Sequence, residues 1–451
     1  MPKSLSSFKG LLAKVLGNRA SPLPPDLLNA YVNSFLTKRG SFLESAKRFG
    51  TPQYFFDEPA LARSLSSFHA VFSRHLERFR IFYAVKSNSF PGLCKHVSEA
   101  GHGLDVSSGV ELAMALSLGC RNILFSGPGK TDVEINLALQ NRDRVTVLID
   151  SAGEMERLTR RVQETDLGDL PLKVGFRLRG QHHGLWGKFG VPPERFPELF
   201  TRALSVKNLD PRGIQFHTSW NMGPEAQVKM IDGVGACVKA LPGSSQRRIK
   251  FLDIGGGYWP ERGEWLNPQN TISGKILQAL DPDFEFKLRH YYHPAQPLDR
   301  FAREIAQALR RQGKPLSGMD IFMEPGRWIS TPAMHVLLKV IDKKEATVVI
   351  ADGGINLLGW ERPLFEYIPL INLTRPSLGE FPVRVFGNLC TPLDLWGTSL
   401  FGQGIETGDI LLVPDQGSYT YSLRQSFIKP IARVIRFDGA SLSEAKPQES
   451  F

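Results

Sequence analysis

The sequence lacks closely spaced cysteines and long apolar runs. Its 451 residues include only four cysteines, none in a Cys-x-x-Cys pair: Cys94, Cys120, Cys237 and Cys390. This spacing excludes a disulfide framework and a cysteine zinc site, and it favours reduced thiols in the cytoplasm. No apolar run reaches the roughly 20 residues that a membrane-spanning helix needs. We therefore expect a cytoplasmic protein with no membrane partner.

Metal-binding and nucleic-acid-binding patterns are also missing. The histidine pairs 182–183 and 290/293 have no accompanying carboxylate pattern, so no metal site is predicted. The net charge is +10, but the basic residues do not form blocks interleaved with aromatic residues, so nucleic-acid binding is not predicted. The charge favours solubility and a general preference for anions, and it leaves an acidic protein partner or an anionic substrate open.

The first 25 residues contain no acidic residue, four basic residues and several serines. We interpret this segment as a basic tail. The same composition is typical of organellar targeting segments, which remain the alternative.

From about residue 78, short apolar runs alternate with segments of helical periodicity. Runs rich in Val, Ile, Leu and Phe are typical of parallel strands buried on both faces. Strands that alternate with helices indicate βαβ units. Eight such runs over about 250 residues predict a TIM-type (β/α)8 barrel in an α/β protein. The runs are residues 80–85, 103–106, 122–125, 145–149, 172–176, 213–216, 249–254 and 319–323.

After about residue 330 the long helical patterns give way to short strands and turns, which predicts a C-terminal all-β domain. The predicted strands are residues 336–341, 346–351, 381–386 and 409–413.

Three regions are expected on this basis. Residues 1–45 form an N-terminal tail and helix, residues 46–330 form the barrel, and residues 331–451 form the β domain. A short strand near 52–57 could join the β domain.

Nearly every predicted barrel strand ends in a chemically capable residue. The active site of a TIM barrel lies at the carboxyl ends of its strands. A single lysine after a strand is ordinarily a solvated loop residue, but a whole ring of such groups predicts a catalytic centre. The ring consists of Lys86, Asp105, Ser126, Asp150, Arg177, His217, Gly255, Gly256, Gly257 and Glu324.

Six members of this ring indicate a type of chemistry. The amine of Lys86, in a partly desolvated pocket, would be nucleophilic toward an aldehyde. The glycine triplet 255–257 would let the backbone approach a phosphate, although such triplets also form plain turns. Glu324 could keep a heterocyclic nitrogen protonated. His217 could stack on a flat ring, act as an acid or base, or be structural.

Ordered motifs from Thr51 to Val434 resemble the fold-type III pyridoxal-phosphate (PLP) decarboxylases, the group of diaminopimelate, ornithine and arginine decarboxylases. The resemblance implies a barrel followed by a β domain, an arrangement similar to that of alanine racemases. The motifs are 83–88 (YAVKSN), 103–112 (GLDVSSGVEL), 188–190 (KFG), 253–258 (DIGGGY), 324–327 (EPGR), 352–354 (DGG), 362–365 (RPLF), 387–390 (GNLC) and 417–419 (GSY).

The resemblance implies roles for individual residues. Lys86 would hold PLP as a Schiff base, Glu324 would keep the pyridine nitrogen protonated, and His217 would stack on the ring. Cys390 would come from the partner subunit of a head-to-tail homodimer and would return a proton to Cα after CO₂ leaves. Further cofactor contacts would come from Asp105, Arg177, Gly255, Gly256, Gly257, Gly326, Arg327 and Tyr419. Substrate contacts would come from Arg327, Arg362, Asp394 and Tyr419.

The chain departs from the family pattern at two places. Where the family usually has His-x-Gly-Ser, residues 217–220 read HTSW, so Trp220 replaces a serine that contacts the phosphate. After Cys390, the diaminopimelate enzymes have a glutamate and the ornithine-type enzymes an aspartate. Here Thr391 and Pro392 follow, and Asp394 comes later. Because a buried ammonium without its carboxylate is strongly disfavoured, neither diaminopimelate nor ornithine is expected as the substrate.

We therefore expect a PLP-dependent α-decarboxylase for an amino acid or amino-acid derivative in secondary or siderophore-type metabolism. Arg362 matches an arginine that binds the distal carboxylate in the diaminopimelate decarboxylases. This match favours a substrate with an acidic or acylated tail, either free or tethered to an acidic carrier protein. One alternative is a PLP-dependent racemase or epimerase, although racemases of this fold typically place an arginine where this chain has Glu324. The other is a non-catalytic binding homologue, which would tend to lose the lysine and cofactor contacts that this chain keeps.

Overall fold

The computed structural model describes residues 20–166, 168–180, 184–282, 286, 288–313, 316, 318–359 and 366–449. The chain divides into two compact units. The first unit takes the described parts of residues 1–60, 262–295 and 331–451, and the second takes those of residues 61–261 and 296–330. None of the helices in the described ranges is both long enough and apolar enough to cross a membrane.

The helices are α1 Pro25–Leu36, α2 Arg39–Phe49, α3 Glu58–Ser73, α4 Pro91–Glu99, α5 Gly109–Ser117, α6 Asp132–Gln140, α7 Ala152–Glu164, α8 Phe196–Leu204, α9 Glu225–Lys239, α10 Gly243–Gln246, α11 Ile272–Leu280, α12 Leu298–Gln312 and α13 Arg327–Ser330. The strands are β1 Ser21–Pro22, β2 Gln53–Asp57, β3 Phe79–Ala84, β4 Gly103–Val106, β5 Ile123–Phe125, β6 Val145–Ile149, β7 Leu172–Arg177, β8 Leu209–Gln215, β9 Phe251–Asp253, β10 Glu264–Leu266, β11 Tyr291–His293, β12 Asp320–Met323, β13 Met334–Glu345, β14 Val348–Ala351, β15 Leu370–Asn372, β16 Glu380–Phe386, β17 Leu395–Phe401, β18 Ile410–Val413, β19 Arg433–Phe437 and β20 Leu442–Lys446.

The second unit is a closed barrel of parallel strands in the order β12-β3-β4-β5-β6-β7-β8-β9. Each of the eight predicted apolar runs overlaps one of these strands, so the predicted TIM-type barrel is confirmed. Helices connect successive strands, as parallel pairing requires. All the strands therefore end at the same rim, which is why the ring of polar residues can converge.

A layer of apolar side chains fills the barrel interior. It consists of Phe82, Leu124, Leu148, Phe251 and Phe322. The rings of the last two stack with centroids 4.5 Å apart. A side chain at position 213 would overlap the phenylalanine ring at position 251, so glycine is required on the neighbouring strand. This packed layer leaves the carboxyl ends of the strands for polar groups.

The first unit contains a nine-stranded sheet in the order β14-β16-β17-β15-β18-β13-β2-β19-β20. Because β14 also pairs with β13, the first six of these strands form a closed ring. The predicted C-terminal all-β fold is confirmed. Strand β2 precedes the barrel in the chain and yet lies between β13 and β19.

Residues 262–295, which fall within the predicted barrel range, belong to the first unit. There, β11 pairs with β10 on one side and with the N-terminal β1 on the other, in a small antiparallel sheet. Trp265 on β10 is buried in the core of this unit. The difference arises because a partner strand more than 240 residues earlier in the chain determines where this segment packs.

Candidate active site

Lys86 and Asp105 form an ion pair at the carboxyl ends of β3 and β4. Lys86 lies in the 3₁₀ turn Val85–Ser87 that follows β3. Its Nζ is 3.1 Å from Asp105 Oδ2, and the lysine side chain is 34% exposed whereas the aspartate is fully buried. The Ser126 hydroxyl donates to Asp105 Oδ1 at 2.5 Å. The pair therefore holds the amine in a defined position while it stays accessible to a small molecule.

The environment of Asp105 shifts its titration strongly. Burial and the nearby Glu324 carboxylate raise the pKa of Asp105 to about 7, although Lys86 and Ser126 oppose the shift. The charge of this aspartate, and with it the strength of the ion pair to Lys86, therefore changes near neutral pH.

Glu324, which follows β12, is a buried carboxylate with two side-chain donors. Gln215 Nε2 donates to its Oε1 at 3.0 Å, and His217 Nδ1 lies 3.0 Å from its Oε2. Burial alone would raise the pKa of Glu324, but the hydrogen bond from His217 and the charge of Lys86 outweigh it and hold the pKa well below its usual range. Glu324 is therefore ionised although it is only 1% exposed.

The imidazole of His217 is oriented by this contact. Burial, together with the charges of Lys86 and Arg177, lowers the pKa of His217 despite the opposing effect of Glu324, so the ring is neutral at pH 7. Because a carboxylate only accepts hydrogen bonds, the proton must lie on Nδ1. The backbone N–H of Gly256 also points at Nδ1 from 3.3 Å, which brings the ring against the glycine triplet. A protonated Nδ1 donates to Glu324 and cannot accept this hydrogen.

The glycine triplet 255–257 follows β9 and has a backbone that other residues would not tolerate. Gly255 has φ +66° and Gly257 has φ +85°. A Cβ at Gly256 would clash with the carbonyl oxygen of Glu324, and one at Gly255 would clash with that of Phe216. Only glycine allows this close approach, and glycine-rich turns of this kind can bring backbone N–H groups close to a phosphate.

Arg177 ends β7 and is held from two sides. Its Nη1 lies 3.7 Å from Asp150 Oδ1, the aspartate that follows β6. Its guanidinium lies 4.5 Å from the ring centroid of Phe189, in the predicted KFG motif. Arg177 also lowers the pKa of His217 by its charge, which places it near the imidazole. The predicted strand-end groups thus belong to one connected rim.

The EPGR motif continues this rim on the far side of Glu324. The guanidinium of Arg327 lies 4.2 Å from the ring centroid of Trp259, which follows the glycine triplet. A Cβ at Gly326 would lie 2.9 Å from that of Ser87, so the motif packs directly against the residue that follows Lys86. The stacking on Trp259 was not predicted from the sequence.

Trp220, which replaces the family serine, adopts an unusual conformation. Its φ is +53°, in the left-handed region, and its side chain is 63% exposed. The next residue, Asn221, fixes the turn to the glycine triplet by donating its backbone N–H to Gly257 and its side-chain amide to the Gly256 carbonyl. Strained backbone of this kind is concentrated at functional sites.

The predicted site residues of the first unit lie in two of its turns. Cys390 is exposed, and Tyr419 is half-buried with φ +54°. Arg362, predicted to bind the distal end of the substrate, lies outside the described residues, as do His182 and His183.

Asp394 is buried and accepts two backbone hydrogen bonds. The N–H of Ile355 donates to its Oδ1 at 2.8 Å, and that of Leu389 donates to its Oδ2 at 2.7 Å. Both carboxylate oxygens thus stabilise the local fold, including the turn that carries Cys390.

Two residues near Glu324 escaped prediction. Gln215 donates to Glu324, and Asp253 accepts the N–H of Gly255 at 2.9 Å. Each is a polar residue inside an otherwise apolar predicted strand. That pattern is itself a signal, because polar groups are seldom buried without a partner.

These groups fit one cofactor. An accessible amine suits an aldehyde, a buried ionised carboxylate suits a pyridine nitrogen, and a glycine cradle with nearby arginines suits a phosphate. The fold and the site therefore define a β/α-barrel enzyme that binds PLP.

Comparison with known proteins identifies the family. The pyridoxal-binding domain of the pyridoxal-dependent decarboxylases matches residues 62–331, which is more than half of the chain. The chain belongs to this family and is a PLP-dependent carboxy-lyase.

Individual relatives are distant. The diaminopimelate decarboxylase of Methanothermobacter thermautotrophicus is 26% identical over 411 residues, which cover 85% of this chain and 86% of that protein. The structure of M. jannaschii diaminopimelate decarboxylase with L-lysine has a TM-score of 0.75 at 22% identity, covering 90% of this chain and 92% of the other. Lysine/ornithine decarboxylase from Vibrio vulnificus with putrescine has a TM-score of 0.67 at 21% identity, covering 89% and 98%. These two structures show the shared fold.

Proposed function

We propose that this carboxy-lyase removes the α-carboxylate from an amino acid whose side chain ends in an acidic or acylated group rather than in a free ammonium. The observation that carries the proposal is the engagement of Asp394. It is the first carboxylate after Cys390, and both of its oxygens already accept backbone N–H groups. Each oxygen could still accept a further hydrogen bond. However, Asp394 is only 1% exposed and these bonds hold it in the turn, so a substrate ammonium could reach it only if the turn opened. Arg362, by its resemblance to the family motif, would bind the acidic or acylated end.

Several residues of the chain would bind and orient the cofactor. PLP, when bound, supplies a conjugated pyridinium that accepts the electron pair left by the departing carboxylate. Lys86, oriented by Asp105, presents the amine that holds the cofactor aldehyde. Glu324 keeps a proton on the pyridine nitrogen, and the glycine triplet with Arg327 binds the phosphate.

The proton that replaces CO₂ would come from the thiol of Cys390 in a second copy of the chain, which makes the active form a head-to-tail homodimer. The carrier-tethered substrate is a finer prediction that depends on the net charge of +10. A racemase would need a base on each face of Cα and a weaker electron sink. The ionised Glu324 therefore favours decarboxylation.

The test is a mass-spectrometric screen for amine products. PLP-loaded protein is incubated with meso-diaminopimelate, ornithine, lysine, arginine, and amino acids with acidic or acylated tails, free and carrier-bound. We expect at least one acidic or acylated compound to lose CO₂ at least a hundred times faster than diaminopimelate or ornithine. Equal or faster turnover of diaminopimelate or ornithine would overturn the substrate proposal.

A matched pair of lysine variants controls this screen. Lys86→Ala should lose both activity and the cofactor absorbance band. Lys95→Ala removes an exposed lysine of the same unit, paired with the exposed Glu99 at 3.7 Å, and should keep both. If Lys86→Ala retained the wild-type band, the assignment of Lys86 would be wrong.

A further inference from the structure

Asp253 lies at the centre of the strands that carry the Glu324 network. It ends β9, where its Cα pairs with that of Gln215 on β8 and with that of Phe322 on β12. The side chain is fully buried, and its Oδ1 accepts the N–H of Gly255 at 2.9 Å. None of the roles proposed above for the site residues involves Asp253.

The described residues around Asp253 supply fewer hydrogen-bond donors than there are buried acceptor oxygens. Asp253 Oδ2 and Gln215 Oε1 are both buried, and across the described ranges no hydrogen-bond donor reaches either oxygen. The carboxyls of Asp253 and Glu324 lie within hydrogen-bonding reach of each other. Two facing carboxylates would both be acceptors, so their contact is favourable only if one of them carries a proton.

The surrounding charges decide which carboxyl carries it. Glu324 has donors at both oxygens, from Gln215 and His217, and it faces the Lys86 ammonium. Asp253 has one backbone donor and faces the negative charges of Glu324 and Asp105. Ionising Asp253 would leave a buried charge without a counterion, which is strongly unfavourable.

We propose that Asp253 is a positioning residue that stays protonated at neutral pH and donates its Oδ2 hydrogen to the Glu324 carboxylate. Burial and the Glu324 charge raise the pKa of Asp253 well above its usual range, in agreement with this assignment. Glu324 then has three side-chain donors. It remains an anion, and its orientation toward the barrel mouth is fixed before any cofactor binds.

The experiment compares wild-type protein with Asp253→Asn and Asp253→Leu in the full chain. Asparagine keeps an acceptor for Gly255 and a donor for Glu324, so the dissociation constant for PLP should stay within threefold of wild type. The pH midpoint of the bound-cofactor absorbance should also stay within 0.3 units. Leucine removes both groups, and PLP should bind at least tenfold more weakly. Difference infrared spectroscopy of ¹³C-aspartate-labelled protein should show a protonated carboxylic-acid band that Asp253→Asn abolishes.

Asp320→Asn is the matched control. Asp320 begins β12 and is ion-paired with Arg78 at 2.6 Å, so its loss should remove a carboxylate band and no acid band. The proposal fails if Asp253→Asn removes a carboxylate band, or if it weakens PLP binding tenfold or more. If the leucine variant does not fold, the asparagine variant and the infrared spectra still decide. The consequence for catalysis depends on the proposed function. The infrared result does not, because it can be measured without cofactor or substrate.

Discussion

Lys130→Met tests how a buried ion pair supports the barrel rim. The Lys130 ammonium donates to the carbonyls of Gly127 and Leu148 at 2.7 and 2.8 Å, and to Glu154 Oε1 at 2.8 Å. The two charged side chains are 1% and 2% exposed. Methionine has a similar length and no charge, so the change removes all three hydrogen bonds and leaves Glu154 as an isolated buried anion.

The expected destabilisation is about 3–5 kcal/mol, the cost of removing one partner from a buried pair. This is a large share of the roughly 5–15 kcal/mol that stabilises a typical domain. The damage should also reach the active site. Glu154 Oε1 accepts the backbone N–H of Asp150 at 3.4 Å, and Asp150 faces Arg177.

The destabilisation should depend on pH. Burial raises the pKa of Glu154 even beside Lys130, and loss of the ammonium must raise it further. An acid whose folded pKa exceeds its unfolded value of about 4.3 takes up a proton on folding between these two values. The difference between variant and wild type should therefore be largest at high pH and should shrink as the pH falls toward the unfolded value of about 4.3.

Hydrogen exchange measured by mass spectrometry on peptides that cover β6 and α7 is the appropriate assay, because it reports on this unit alone. The double variant Lys130→Met/Glu154→Gln should recover part of the loss, since no charge is then left unpaired. Lys95→Met breaks an exposed pair and should cost less than about 1 kcal/mol. A cost below 1 kcal/mol for Lys130→Met, or a double variant as unstable as the single one, would refute the reasoning.

Two further predictions concern the rim itself. Since the pKa of Asp105 is raised to about 7, ionisation of this carboxyl opposes folding. Its protonation should therefore stabilise the cofactor-free protein as the pH falls from about 8 toward 4. Asp105→Asn should remove that contribution from thermal unfolding midpoints measured at several pH values, and an unchanged pH profile would contradict it. Gly256→Ala should lower the free energy of unfolding by about 1–3 kcal/mol, because its Cβ would meet the Glu324 carbonyl. It should also weaken PLP binding at least tenfold, measured by absorbance titration. Gly233→Ala lies in helix α9, where no atom of the described residues comes within 4 Å of the new Cβ, so this change should be neutral or stabilising. An equal loss of stability in the two variants would count against the clash.

The barrel and its rim could be predicted because the physics that encodes them is local. Apolar runs mark buried parallel strands, and parallel strands place their carboxyl ends together. Lys86, Asp105, His217 and Glu324 could therefore be grouped before any coordinates were known, although their hydrogen-bond partners could not.

What escaped prediction depends on distant contacts. Lys130 reads as an ordinary surface lysine, and only the fold places it beside the equally buried Glu154. Asp394 has the spacing of a substrate ligand, but two backbone N–H groups decide its role. Residues 262–295 pack in the first unit, where β11 pairs with β1, and no periodicity in the sequence indicates that pairing.

The position of β2 has a consequence for synthesis of the protein. This strand pairs with β13 on one edge and with β19 on the other, and Gln53 is in register with Arg433, 380 residues later. At about 5–20 residues per second, a ribosome needs roughly 20 to 80 seconds to make the second partner after it has made β2. Through that interval the nascent chain carries an apolar strand with at least one open edge, which is a template for pairing with other chains. We expect production of this protein to depend on chaperones or slow growth far more than the stability of its finished barrel would suggest.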